Sequence, residues 1–443
     1  MQTKQILVQD KNVRTSLSIL QKIFCDYQPR NFAVRFWEGS IWNPERGEQA
    51  LFTMVLQHPG ALRKMFLPLN EVTLGEAYIY NDFDIEGDIE AAFGMADYLL
   101  QKGGVRLSLA QKIYLGKQLL KLPSDSKQRV GRQAVQLKGA LHSKERDRQA
   151  VTYHYNVSND FFALWLDKLM VYSCAYFILP DEDLDVAQER KLDYICRKLR
   201  LLHGERLLDI GCGWGGLIIH AAKKYGVSAL GITLSQPQAQ FANERISREG
   251  LSELCRVELC DYRDIEEPEG YDKLVSVGMF EHVGESMLPE YFERAWRLLK
   301  TGGVFLNHGL ASGLKMPVID STPTDRRKSS VTFSDKYIFP DSQLVPVSTT
   351  LRIAERCGFE VRDVESLREH YMHTLRHWRR RLEAHHDEAC KLTDEPTYRI
   401  WRLNHAGSAL GFQTGRHTIY QTLLVKPDRG ESRLPLTRTD WYV

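Results

Sequence analysis

From residue 186 onward, two periods of apolar and polar positions alternate along the chain. Val186–Leu202 carries apolar residues at helical spacing, and Arg206–Ile210 is a short apolar run. The same reading predicts helices over 215–224, 237–249 and 288–299. It predicts strands over 228–233, near 255–260 and 273–277, and over 304–308. Strands that alternate with helices predict a parallel sheet covered on both faces, with ligands beyond the carboxyl ends of its strands. Earlier in the chain, Phe32–Trp42 and Gln49–Gln57 read as strands, Gly60–Phe66 as a short helix and Ile89–Gln101 as a longer one. These form a small α/β or α+β domain.

Between the two patterns, large apolar residues thin out. Residues 121–150 hold eight basic and three acidic side chains. They read as a basic linker, either simply solvated or able to touch anionic phospholipid. The expected organisation is an accessory domain over 1–120, a linker over 121–150 and a catalytic domain over 151–443.

Charge narrows the partners. The 443 residues include 59 basic and 57 acidic, a net +2, which argues against a general nucleic-acid binder. No apolar run approaches a membrane span, and the first residues lack the apolar segment of a signal peptide, so a cytoplasmic protein is expected. The eight cysteines form no CxxC pair, so reduced thiols and no metal site are expected.

The run LLDIGCGWGG closes the strand over 206–210 and spaces Gly211, Gly213 and Gly216 as G-x-G-x-x-G. Such a loop can approach the pyrophosphate of NAD or the amino-acid part of S-adenosylmethionine (SAM). Asp209, two residues before the first glycine, can meet the SAM ammonium. The stretch GITLSQPQ (231–238) lacks the acid that a NAD ribose requires. SAM is therefore expected.

Five further motifs follow in order. They are HYNVSNDFF (154–162) with YSCAY (172–176), GMFEHVG (278–284), NHGL (307–310), KYIFP (336–340) and HYMHTL (370–375). Over residues 150–425 the chain resembles the cyclopropane-fatty-acyl-phospholipid synthases, relatives of the mycolic acid cyclopropane synthases. The resemblance implies a class I SAM-dependent methyltransferase (Rossmann-like) sheet with a lid insertion. It also implies transfer of a methylene group to the cis double bond of acyl chains in membrane phospholipids. A bound bicarbonate would act as the base, in a cage of Cys174, Glu281, His308, Tyr371 and the main chain of Leu310. The chain departs from the expected pattern beside the histidine, at Gly309 and Leu310.

The resemblance also implies SAM contacts. Tyr172 and Ser173 would meet the methionine end, with Asp209, Gly211 and Gly213. Thr233 and Gln238 would meet the ribose, and Tyr262 and Arg263 the adenine edge. It implies peripheral association with the inner face of the cell membrane. A homodimer is the base-rate expectation. Phe333, Tyr337 and Phe339 are candidates for the lid or acyl channel, and the clusters Arg326–Lys328 and Arg379–Arg381 for bilayer phosphates. Residues 74–93 loosely resemble the closing segment of sterol-carrier-like domains, which implies a small N-terminal α/β lipid-binding fold. The alternatives are a SAM-dependent enzyme giving methyl- or methylene-branched chains, a small-molecule N-methyltransferase, and a non-catalytic lipid binder.

Overall fold

The computed structural model describes residues 10–100, 107–124, 129–313 and 331–442. The Arg326–Lys328 cluster lies outside them. The described chain divides into two units. The first holds the residues up to Ala134, the stretch ending at Tyr337, and Asp394–Gly407; the second holds the rest. The boundary at Ala134 falls within the expected linker.

In the first unit, α1 (Lys11–Ile23) precedes a four-stranded sheet of order β2-β1-β3-β4. The strands are β1 (Phe32–Arg35), β2 (Ile41–Trp42), β3 (Phe52–Leu56) and β4 (Phe83–Gly87). Three helices join or follow them, α2 (Ala61–Phe66), α3 (Glu71–Ile79) and α4 (Ile89–Leu100), and then α5 (Leu109–Lys121). Phe32 and Phe52 stack at 5.3 Å across β1 and β3. Arg399 ties β4 in place through Asp84, 2.8 Å away, and through the Tyr78 carbonyl at 3.1 Å.

Two of the aromatics expected in the lid belong to this unit instead. Phe333 fills the space where a side chain on Gly75 would stand. The Tyr337 hydroxyl donates to Glu76 at 3.0 Å. Both are buried, because α3 offers a small residue and a carboxylate that the aromatic pair can cover.

The second unit opens with α6 (Lys144–Tyr155) and α7 (Asn159–Ala163), then α8 (Leu184–Leu199). Helix α6 takes up the last residues of the expected linker. The expected alternation follows: β5 (Arg206–Ile210), α9 (Gly216–Tyr225), β6 (Ser228–Thr233), α10 (Gln236–Arg248), β7 (Cys255–Leu259), β8 (Tyr271–Val277), α11 (Leu288–Leu298) and β9 (Leu299–Ser312). Later come α12 (Val347–Arg356), β10 (Glu360–Ser366), α13 (Arg368–Ala384) and β11 (His417–Val425). The seven-stranded sheet has the order β10-β11-β9-β8-β5-β6-β7. Its central pairs are parallel, and β11 runs antiparallel to β9 and β10. From β5 the chain winds outward through β6 and β7, then crosses to β8 and β9. That reversal opens a crevice between the carboxyl ends of β5 and β8, where such sheets bind ligands.

One expectation is corrected here. His308 is not at a strand end, because β9 continues to Ser312. Pairing with β11 over nine consecutive residues keeps the strand extended past the histidine.

Candidate active site

The turn after β5 is shaped by positive-φ glycines: Gly211 at 85° and Gly213 at 55°. A Cβ on Gly211 would stand 2.6 Å from that of Met279, so only glycine permits this approach of the two turns. The space beside Gly213 is open. The Gly211 and Cys212 amides both donate to the Ile232 carbonyl, which locks the turn to β6.

A cavity lies at this turn, beyond the carboxyl end of β5. Tyr172, Ser173, Asp209, Gly211, Gly213, Thr233 and Gln238 all line it. Tyr262 and Arg263 line an adjoining cavity that shares Gly211, Thr233 and Met279 with the first. All nine expected SAM contacts thus border one continuous crevice. Thr233 donates to Gln238 at 2.8 Å, pairing the two expected ribose contacts. The Arg263 guanidinium is already engaged, bonding Asp261 at 2.6 Å and Asp147 at 2.9 Å.

Sequence reasoning missed the residue that dominates the electrostatics here. Lys191 is 1% exposed and donates to Ser173 Oγ at 2.8 Å. Burial lowers its ammonium to about 8, against the pull of Asp167, Cys174 and Asp209. Burial likewise raises Asp209 to about 7, with Lys191 opposing. One turn earlier on α8, Gln188 donates to the carbonyls of Val171 and Ser173 at 3.1 and 2.9 Å. The face of α8 that carries Gln188 and Lys191 therefore holds the segment 171–174 in place. Polar residues at i and i+3 within an otherwise apolar helix face were the signal in the sequence.

The cage candidates do not line this cavity, but Cys174 and Glu281 adjoin in the chain Ser173 and His282, which do. Glu281 is 7% exposed and accepts from the Leu310 amide at 3.4 Å through Oε1; its Oε2 has no hydrogen-bond partner. Burial pushes its carboxyl up to about 7. His308 is fully buried. Its Nδ1 lies 3.3 Å from Gln421 Nε2, and its Nε2 has no hydrogen-bond partner. Burial, reinforced by the nearby Lys191 and Lys198, lowers its pKa and keeps the ring neutral. With Gln421 donating to Nδ1, the neutral ring carries its proton on Nε2. Gln421 was also missed; it is the cross-strand neighbour of His308.

Tyr371 packs 4.8 Å from Phe412 and 5.9 Å from Trp378. Burial, and then Glu281 and Cys174, push its phenol up, so it remains a donor. The Cys174 thiol is also raised by burial and points at the carbonyls of Ala175 and Leu367, at 3.2 and 3.8 Å. It is a neutral thiol rather than a nucleophile. The structure thus gathers Glu281, Tyr371 and Cys174. His308 lies two residues along β9 from the amide that holds Glu281.

Aromatic rings pack around Tyr172 and Tyr371, both of which contact Trp378. Tyr172 packs on Trp378 at 5.1 Å and on Trp165 at 5.4 Å. Phe339, the third lid candidate, stacks on His154 at 4.4 Å. Arg381, expected to meet bilayer phosphate, bonds Asp185 at 3.1 Å and the Leu166 carbonyl at 2.8 Å.

Comparison with known proteins bears on the family and the fold. Residues 142–422 match the family described as mycolic acid cyclopropane synthetase, and residues 19–98 match a domain of unknown function. A probable fatty acid methyltransferase of Pseudomonas putida is 38% identical over 410 residues, spanning 92% of this chain and 95% of that protein. Cyclopropane mycolic acid synthase 3 of Mycobacterium tuberculosis is 35% identical over 286 residues, spanning 62% of this chain and 96% of its own. The solved cyclopropane synthase MmaA2 of M. tuberculosis superposes with a TM-score of 0.58 at 33% identity, covering 62% of this chain and 97% of that one. The structure of mycolic acid cyclopropane synthase CmaA1, complexed with SAH and CTAB, gives 0.56 at 33% identity, covering 62% and 97%. The second unit has their class I methyltransferase fold. The chain belongs to the mycolic acid cyclopropane synthetase family.

Proposed function

We propose that this protein transfers one carbon from SAM to the cis double bond of unsaturated acyl chains in membrane phospholipids and closes a cyclopropane ring. The observation that carries the reading is a pair of buried polar atoms left without partners, Glu281 Oε2 and His308 Nε2, beside a crevice suited to SAM. Buried groups of this kind are costly unless a ligand satisfies them.

The chemistry explains the surroundings. An isolated alkene is a weak nucleophile and needs alignment with the donor methyl. Its attack leaves a cation on the acyl chain, which aromatic faces such as those of Tyr172, Tyr155 and Trp378 stabilise by roughly 0.5–2 kcal/mol each. Ring closure requires loss of a proton where water cannot trap the cation. Among these side chains, Cys174 and Tyr371 stay protonated, His308 is neutral with Nε2 unpartnered, and Glu281, raised to about 7, is only partly ionised at neutral pH. The donor set instead fits a small anion. His308 Nε2–H and the Tyr371 hydroxyl would hold bicarbonate, with Cys174 and the Leu310 amide nearby. Glu281 would orient its hydroxyl. Bicarbonate would supply the proton acceptor.

A methyl-branched product is the second reading. It is favoured by the likeness to a probable fatty acid methyltransferase along nearly the whole chain and by Gly309 beside the cage. Product analysis decides between them. The purified protein is incubated with SAM and a mono-unsaturated phospholipid, and the released chains are examined by proton NMR. Upfield ring protons are expected. Vinylidene or new methyl-branch signals would replace the first reading by the second. SAM binding with no lipid product would overturn both.

A further inference from the structure

We propose that helix α5 of the first unit docks on an anionic phospholipid surface. This rests on the lipid-substrate reading above and assigns a surface to it. Leu115 and Leu119, each 5% exposed, fix one face of α5 in its unit. A neighbouring face, about 110° further round the helix, is also apolar. Leu109 is 75% exposed, Ile113 52% and Leu120 57%. At about 100° per residue these three fall in one narrow stripe along the helix. Gly116 lies in the same stripe, and a Cβ placed there would meet nothing within 4 Å.

The borders of the stripe are basic. Lys112 flanks it on one side, Lys117 and Lys121 on the other, and α5 contains no carboxylate. Over residues 101–124 the sequence has five basic side chains and no acidic one. Tyr114, 46% exposed, lies outside the stripe, beyond Lys117 and Lys121. A reciprocal capping box between Ser108 and Gln111 fixes the start of the helix.

An exposed apolar stripe edged by lysines is the pattern of a helix that lies in the plane of a bilayer. Its apolar residues enter the acyl boundary and its ammonium groups meet lipid phosphates. It does not span the bilayer: among the described residues no helix is long and apolar enough to do so. A second copy is a poorer occupant, because a two-fold contact through this stripe would set each row of lysines close to its symmetry mate.

The test uses the full-length protein and vesicle flotation. Phosphatidylglycerol-rich vesicles are compared with pure phosphatidylcholine vesicles at several salt concentrations. Wild type is expected to float with the anionic vesicles, less so at high salt. The triple variant Leu109→Ser/Ile113→Ser/Leu120→Ser should bind at least about tenfold more weakly. The triple variant Lys112→Gln/Lys117→Gln/Lys121→Gln should lose the salt dependence. Ile113→Trp alone should show a blue-shifted emission on adding anionic vesicles, a readout that does not depend on a triple variant folding. SAM binding and turnover of detergent-dispersed lipid should stay at wild-type levels throughout. Vesicle binding unchanged in both triple variants would overturn the proposal, as would a wild type that ignores anionic vesicles. A wild-type dimer made monomeric by the serine variant, with vesicle binding intact, would reassign the stripe to a subunit contact. Failure of the lipid-substrate reading appears separately, as no product from detergent-dispersed lipid.

Discussion

Lys191 Nζ lies 2.8 Å from Ser173 Oγ, and this bond joins helix α8 to the segment that carries Tyr172 and Cys174. The ammonium also faces Asp167 and Asp209 and is the cation that lets both carboxylates be buried. Removing it leaves two acids in a dry site, and both would take up protons. Lys191→Met is therefore expected to weaken SAM binding about tenfold or more by calorimetry, and Lys191→Arg to restore part of it. Unchanged affinity in Lys191→Met would limit the lysine to a structural role.

Gln421 controls which nitrogen of His308 holds the proton. Gln421→Glu replaces the amide donor by an acceptor, which draws the proton to Nδ1 and turns Nε2 into an acceptor. Turnover is expected to fall about 100-fold, with SAM affinity within about twofold of wild type. Single-turnover kinetics separates the two. A variant with normal turnover would show that the orientation of His308 does not matter.

Much of this site was legible in advance because its residues sit at fixed offsets on single elements. The glycine turn, Asp209 and Thr233 lie at strand ends that the apolar runs mark. Glu281 lies in the GMFEHVG motif that carries the family resemblance. What was hidden depends on pairing across elements. Gln421 matters only because β11 pairs with β9 in one register. Lys191 reads only as a polar interruption of an apolar helix face until Ser173 is placed over it. Helices α1, α3 and α5 escaped notice because polar residues interrupt their apolar spacing, or because, as in α5, apolar positions occur on two faces. Phe333 and Tyr337 were assigned to a lid because sequence adjacency to β9 is a poor guide when a segment packs on another unit.

Burial makes Glu281 a pH-sensitive element of stability. Its carboxyl rises from 4.5 in the unfolded chain to about 7 in the fold. The folded state therefore prefers the protonated form. Its favourable contribution is complete below about pH 4.5 and is lost as the pH rises through 7. Glu281→Gln removes this titration. The stability of wild type relative to Glu281→Gln should fall by about 3 kcal/mol between pH 4.5 and 7.5. Urea midpoints measured on both proteins at matched pH check this; a constant difference would mean that Glu281 ionises normally. The same variant should retain SAM binding and lose most of its turnover.

Gly309 determines where Glu281 can stand. A Cβ at 309 would lie 2.8 Å from Phe280 Cδ1, and Phe280 is buried. Because Phe280 immediately precedes Glu281 in the turn after β8, a side chain at 309 shifts the carboxylate away from the Leu310 amide. Gly309→Ala is expected to cost about 1–3 kcal/mol in stability. It should also lower turnover more than it lowers SAM affinity, because the crevice at Gly211 and Lys191 is left intact. Phe280→Leu shortens the ring that meets the new Cβ and should rescue part of the turnover in the Gly309→Ala background. A double variant no better than the single one would show that the loss arises elsewhere on β9.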